Sequence, residues 1–349
     1  MKKYGVRGLL ILLLIVSLLV AAGMGAMVIR PIQVVAILLN KLGWSVASDS
    51  YTPAMSAVLL QIRLPRICLA VLTGSGLAIA GASLQGLFRN PLVDPGLIGI
   101  SSGASLAAVA VIVLFSVLSP TGGLQGHYLL NLGTFCGACL SSILVFRFSR
   151  VEGKTMVATL LLAGLAINAL CNALTGLITY TANNEQLRSI SFWLMGSLGG
   201  ATWTTVSSLL PFVVLPVWLL PREGRALNAY ALGEMEALHT GVDIRWLKFR
   251  ILLLATLSVG ATVAVCGIIG FVGLIVPHIL RSWTGSDHRR LLINSALAGA
   301  ILLTLADVVS RTVIAPAELP IGIVTALLGT PVFIVLLYKQ KKNLYNHNI

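Results

Sequence analysis

The chain has 349 residues, of which 57% are hydrophobic and only 10% charged, with a net charge of +13. A water-soluble domain of this size carries about a quarter charged residues, so a soluble globular protein is excluded. The positive balance does not call for nucleic acid, because Lys and Arg collect in the cytoplasmic loops of membrane proteins.

A helix needs about 20 largely apolar residues to cross the hydrocarbon. By that rule ten spans are expected, near 8–29, 64–87, 97–118, 127–148, 155–180, 203–220, 247–267, 268–284, 289–312 and 319–338. They form one transmembrane domain over residues 1–349, an all-α polytopic fold. Under this arrangement Arg30, Lys41, Arg63, Arg66, Arg188 and Arg311 lie on one side, and the other 18 of the 24 Lys and Arg lie on the opposite side. The bias places both termini in the cytoplasm.

The first span resembles a secretion signal, with Lys2-Lys3 ahead of an apolar run and Ala21-Ala22-Gly23 behind it. Cleaved signals have an apolar core of roughly 7–15 residues. The run here is longer, so a retained first helix is expected. Residues 30–62 form the longest outer loop, and Pro31, Gln33, Trp44 and Tyr51 suggest an interfacial segment.

In the second span Gly74, Ala78, Ala82 and Gly86 recur every four residues. Such a stripe lets two helices approach closely, which implies a compact bundle or a subunit interface. Arg63 and Arg66 flank Leu64-Pro65 at its outer start. They either receive an acidic partner from outside or snorkel at a helix end.

Cys136 and Cys139 form a CxxC inside a span, while Cys68, Cys171 and Cys266 stand alone. No His or second CxxC completes a metal site, so they read as small hydrophobes. Gly153-Lys154-Thr155 looks like the end of a phosphate-binding loop, but the required glycine five residues earlier is Phe148. The chain is not expected to bind ATP there.

Asn168, Asn172, Thr175 and Thr179 fall on one face of the fifth span, over about 16 Å of helix. They either bond to a neighbouring helix or line a wet path. Between Leu187 and Trp203, Gly196, Gly199 and Gly200 interrupt an apolar run. Irregular backbone at membrane depth survives only under protein or beside a water-filled cavity, so this piece is placed near the outer mouth of a pathway.

The longest cytoplasmic segment, Pro221 to Arg250, reads as two short helices broken at Gly233. It is either a solvated loop or a docking surface. In the ninth span Asp307 and Arg311 stand four residues apart, a spacing that permits an ion pair or a step in a proton relay.

The strings Arg63-Leu-Pro-Arg66, Gly81-Ala-Ser-Leu-Gln85-Gly-Leu-Phe-Arg-Asn90-Pro91-Leu-Val-Asp94-Pro95-Gly96, Ser101-Ser-Gly103, Gly270-Phe-Val-Gly273-Leu-Ile-Val-Pro277-His278-Ile-Leu-Arg281, Asp287-His288-Arg289, Ala317-Glu318-Leu-Pro320 and Gly329-Thr-Pro331 resemble the iron-siderophore, heme and vitamin B12 permeases of ABC importers. The resemblance runs from about residue 60 to 338. It implies the type II importer permease fold with ten helices per subunit, in a bacterial inner membrane. It also implies a homodimeric pore, two ATPase subunits that bind ATP and Mg, and a periplasmic substrate-binding protein.

On that resemblance, Leu232, Gly233, Glu234, Glu236, Ala237 and Gly241, within a segment of about 226–242, match the helices that rest on the ATPase. Arg63, Arg66 and Arg311 match arginines that receive the binding protein. Asn168, Asn172, Thr175 and Thr179 fall on the helix that lines the pathway. The chain itself is expected to have no catalytic residue, cofactor or metal. Gln186-Leu-Arg188 with Phe192-Trp193-Leu-Met195-Gly196 is more similar to heme and corrinoid members, so heme is expected ahead of a ferric siderophore. His127 and His278 read as helix-end and packing residues. A proton-coupled transporter acting alone is the rival from another class.

Overall fold

The computed structural model describes residues 2–44, 51–118, 124–151 and 154–347. The chain is a bundle of helices: α1 (Lys2–Gly23), α2 (Pro31–Lys41), α3 (Pro53–Ala57) and α4 (Leu64–Leu87), with a π-helical turn over Val58–Arg63 feeding α4. A 3-10 turn at Pro95–Ile98 leads into α5 (Ile100–Leu118), followed by α6 (Leu124–Phe148). A two-residue hairpin, β1 (Arg150–Val151) against β2 (Lys154–Thr155), turns the chain into α7 (Val157–Tyr180). Then come α8 (Asn184–Leu194), α9 (Trp203–Leu219), α10 (Gly224–Leu232), α11 (Glu234–His239), α12 (Ile244–Cys266), α13 (Val272–Thr284), α14 (His288–Thr312) and α15 (Ile321–His347).

Local chemistry sets several of these starts. Asp243 accepts the Trp246 N–H at 3.1 Å to open α12, and Asp287 accepts the Arg289 N–H at 3.1 Å to open α14. Asn183 and Gln186 exchange bonds at 2.9 and 2.8 Å to open α8. Each satisfies amide groups that a helix start leaves without a partner.

Among the described residues, seven helices are long and apolar enough to cross a membrane. The other three expected spans fall on α5, α13 and α15; the stretches Ile100–Leu114 and Ile321–Val335 that count by this measure are parts of helices of 19 and 27 residues. With 13 residues, α13 is only about 20 Å long, well short of the hydrocarbon. Each of the ten expected spans thus falls on a helix, and among the described residues seven of them meet the length and composition of a full crossing. Hydropathy misjudged α13 because the apolar sequence before it is not helical: Gly267 and Phe271 both take positive φ, +71° and +68°.

α4 lies at the centre, against α9, α12, α13 and α14. The small-residue stripe explains how. A Cβ added to Gly74 would lie 2.2 Å from the Gly299 carbonyl oxygen of α14, and one added to Gly86 would lie 2.6 Å from the His288 ring. The stripe therefore serves packing within one chain. Two turns along α4 from Gly74, Gly81 meets Gly273 of α13, where a Cβ would stand 1.9 Å from the carbonyl oxygen.

The 30–62 stretch is mostly helical, through α2, α3 and the π-helical turn, instead of a loop. Its Ile32, Leu42 and Trp44 are exposed, which suits a segment lying at an interface. The irregular piece after α8 is tied down by backbone bonds, with Gly196 and Leu198 buried and Ser197, Gly199 and Gly200 exposed. Ser197 N–H donates to Cys266 O at 2.8 Å, Ile321 N–H to Gly196 O at 3.1 Å and Gly322 N–H to Met195 O at 3.0 Å. Backbone groups of three irregular segments satisfy one another, as low-dielectric surroundings demand.

Candidate functional site

The three arginines expected to receive an outside partner are buried within this chain. Arg63, Arg66 and Arg311 are 4%, 6% and 9% exposed. Arg63 donates to Ala22 O at 2.6 Å, to Gly23 O at 3.0 Å and to Met27 O. Arg311 donates to Ala21 O at 2.5 Å. The last carbonyls of α1 have no partner within their own helix, and two guanidinium groups cap them where the helix dipole favours cations.

Arg66 pairs with Asp307 of α14 at 2.8 Å and with Glu318 at 2.8 Å, and Arg311 stands 3.5 Å from Asp307. The expected Asp307–Arg311 pair is thus present but is the looser of two. Arg63, Arg66 and Arg311 direct hydrogen bonds to α1, α14 and the loop before α15, and the Arg311 Nε is left without one. The same contacts pack the end of α1 into the bundle.

The polar stripe on α7 sits at the border of its packed face, where Leu160, Gly164, Ile167 and Cys171 are buried. Asn168 donates to Gly96 O at 3.1 Å and accepts from the Ser102 hydroxyl. Thr175 and Thr179 donate back to Cys171 O and Thr175 O, each at 2.7 Å. Asn172 is exposed. Beside it the helix presents exposed Leu162, Leu165, Leu170 and Leu177, so this face of α7 is left open by the chain itself.

At the opposite end from the arginine cluster, α10 and α11 form the expected helix pair, broken at Gly233. α11 closes in a Schellman turn, with Gly241 at φ +81°, its N–H on Leu238 O at 2.9 Å and the Val242 N–H on Ala237 O at 3.0 Å. Ala237 is fully buried, which fixes the inner face of α11, while Leu232, Met235 and Leu238 are 79%, 62% and 52% exposed. The Glu236 carboxylate folds over Gly233, where a Cβ would lie 1.6 Å from its oxygen.

Glu234 does not project freely. It accepts from the Tyr230 hydroxyl at 2.8 Å and from Lys248 Nζ of α12 at 2.8 Å. Partial burial works to raise its pKa, but these two bonds and the lysine charge outweigh it and hold the carboxyl below its ordinary value. The pair's contribution is therefore complete at neutral pH and is lost as pH falls through that lowered value. The Tyr230 hydroxyl is pushed up, by burial first and by Glu234 next.

A cavity of about 920 Å³ opens beside the pair, lined in part by Arg89, Met156, Tyr230, Glu234, Arg245 and Lys248. The Arg89 guanidinium stacks 4.2 Å over the Tyr230 ring. Tyr230 and Lys248 were not singled out from the sequence. The four-residue step from Tyr230 to Glu234 was the available signal; the contact with Lys248 needed the fold.

Among the described residues there is no cluster of three or more metal-ligating side chains. Cys136 and Cys139 are free thiols. The Nδ1 of His278 is buried without a hydrogen-bond partner, and the side chain of His127 lies outside the described residues.

These features agree with what the chain is similar to. A model of the FecCD transport family matches residues 11–339. The hemin transport system permease protein HmuU of Yersinia pestis is 45% identical over 339 residues, 96% of both chains. The vitamin B12 import system permease protein BtuC of Escherichia coli O9:H4 (strain HS) is 41% identical over 86% of this chain and 89% of its own. A solved inward-facing metal-chelate type ABC transporter superposes with a TM-score of 0.81 at 35% identity, covering 96% of this chain and 98% of that one. The chain belongs to the FecCD transport family. It is a multi-pass membrane permease of an ABC importer.

Proposed function

We propose that this permease carries heme inward across a bacterial cytoplasmic membrane. Two copies enclose the passage, two separate ATPase subunits drive it and a substrate-binding protein delivers the cargo. The single observation that carries the substrate is 45% identity to a hemin permease along 96% of both chains. The open, polar-edged face of α7 supports a passage completed by a second copy, with Asn172 and its neighbours on the wall. The ABC reading also removes the need for a proton relay: Asp307 is held between two arginines, as a structural carboxylate would be. Both termini face the cytoplasm in this arrangement, as the charge bias requires.

The test is ATP-driven uptake by the reconstituted complex, with heme, a ferric siderophore and cobalamin offered in turn. Preferred uptake of heme is expected. Uptake of cobalamin alone would favour the second reading, a corrinoid permease, which the 41% identity to BtuC supports. Transport driven by a proton gradient without any ATPase would sink both.

The exposed ridge of Leu232, Met235 and Leu238 is the proposed seat of the ATPase. An apolar patch of this kind on a polar surface marks a contact site. Replacing Leu232 and Met235 together with Asp should cut co-purification of the ATPase by about ten-fold or more, the scale of central interface residues. The thermal midpoint of the permease should hardly move, because both side chains are exposed. Undiminished co-purification would remove the ridge from the interface.

A further inference from the structure

The helix pair must deliver its motion to the membrane bundle if the reading above holds, and the side chains show where it does so. Asn228 of α10 donates through Nδ2 to Asp287 Oδ1 at 2.7 Å. Its Oδ1 receives the His288 backbone N–H at 2.9 Å and faces His288 Nδ1 at 2.9 Å. The orientation is fixed by chemistry: the His288 N–H can only donate, so it must face the amide oxygen, and Nδ2 is left for the carboxylate. Asp287 is in turn the residue that caps α14. One amide thus plugs the first turn of α14, using its donor and its acceptor at once.

Backbone packing at the same place is equally close. A Cβ on Gly224 would lie 2.8 Å from Arg289 Cα and N, so α10 starts flush against α14. Leu227 and Tyr230 are buried alongside. From this junction α14 runs 25 residues, about 37 Å by helix rise, with no proline to bend it. Its far end carries Asp307, Ser310 and Arg311, bonded to Arg66 at 2.8 Å, Leu319 O at 2.5 Å and Ala21 O at 2.5 Å. α9, α13 and α15 all contain internal prolines.

We infer that Asn228 is a positioning residue for transport, locking α10–α11 to the start of α14 so that displacement of the pair moves α14 as one body. Asn is the residue that suits the place, because Asp lacks the donor and an aliphatic side chain lacks both partners. The arrangement also makes α14 the member through which the ATPase-facing end and the arginine cluster feel each other.

The experiment uses the whole complex with ATPase and binding protein in proteoliposomes, and reads ATP consumed per heme taken up. Asn228→Asp sets two carboxylates against each other and should raise that ratio about ten-fold, with the ATPase still bound. The reciprocal exchange, Asn228→Asp with Asp287→Asn, restores one donor and one acceptor across the junction. Asn caps a helix about as well as Asp. The exchanged protein should return to within about two-fold of the original ratio. A mere loss of packing would not be repaired by swapping the two groups. An unchanged ratio in Asn228→Asp, or an exchanged protein that assembles but stays uncoupled, overturns the inference.

A second measurement covers the event that Asn228→Asp does not assemble. Spin labels at exposed Ala231 and Arg290 should keep their separation within about 2 Å, the scale of a helix shift, between nucleotide-free and ATP-bound complex. A larger change means that the pair moves without α14. Failure of the unaltered complex to take up heme on ATP would instead sink the importer reading, so the two failures are distinct.

Discussion

Replacing Arg66 with Leu should destabilise the permease by about 3–5 kcal/mol, the usual cost of leaving one member of a buried ion pair alone. Asp307 is 1% exposed and cannot turn to water. Without Arg66 it keeps only Arg311, 3.5 Å away. The expected result is a large fall in the thermal midpoint in detergent, read by labelling of buried Cys171 and Cys266 as the bundle opens. Adding Asp307→Asn should recover part of the loss, because a neutral amide is less costly to bury than an unpaired carboxylate. Glu318→Gln should cost about 1 kcal/mol or less, since its side chain is 46% exposed and an exposed pair contributes little. A midpoint for Arg66→Leu that matches the unaltered protein would show that the cluster does not hold α4 to α14.

Replacing Gly81 with Leu should have an effect of similar size for a different reason. A Cβ there would stand 1.9 Å from Gly273 O and 2.6 Å from Gly273 Cα. Backbone, not a movable side chain, occupies the space, so α4 and α13 must separate. Overpacking a tight site costs about 1–3 kcal/mol and more when main chain must move. The separation also strains Gln85, which donates to Leu274 O at 3.1 Å and lies 3.4 Å from Gly273 O. Pro277 has no N–H to offer Gly273 O, so Gln85 supplies the donor from α4 and Arg281 holds the Gln85 oxygen at 3.1 Å. Gly8→Ala on α1 serves as the control: nothing lies within 4 Å of its Cβ position, and a midpoint at or slightly above the original is expected. Equal behaviour of Gly81→Leu and Gly8→Ala would refute the close crossing.

Much of the fold was legible because each signal is local. Continuous apolar runs located α1, α4, α6, α7, α9, α12 and α14, and Gly233 marked the break between α10 and α11. The small-residue stripe announced a close crossing but not its partner, since Gly299 lies more than two hundred residues away in sequence. α13 was read as too long because hydropathy cannot tell an apolar helix from apolar backbone that other segments satisfy. The burial of the arginines was the least legible feature. Charge counted by side treats Arg63, Arg66 and Arg311 as surface groups, whereas the fold brings α1 carbonyls, Asp307 and Glu318 to them.

Sequence alone determined that this chain lives in lipid, which stretches become helices and which family its motifs resemble. Those conclusions rest on solvation and on motifs, which act over a few residues at a time. Tertiary structure decided which partners the buried charged groups find. Groups far apart in sequence meet only when the bundle packs, so only the packed bundle shows that Asn228 meets α14, Lys248 meets Glu234 and the arginines close the end of α1.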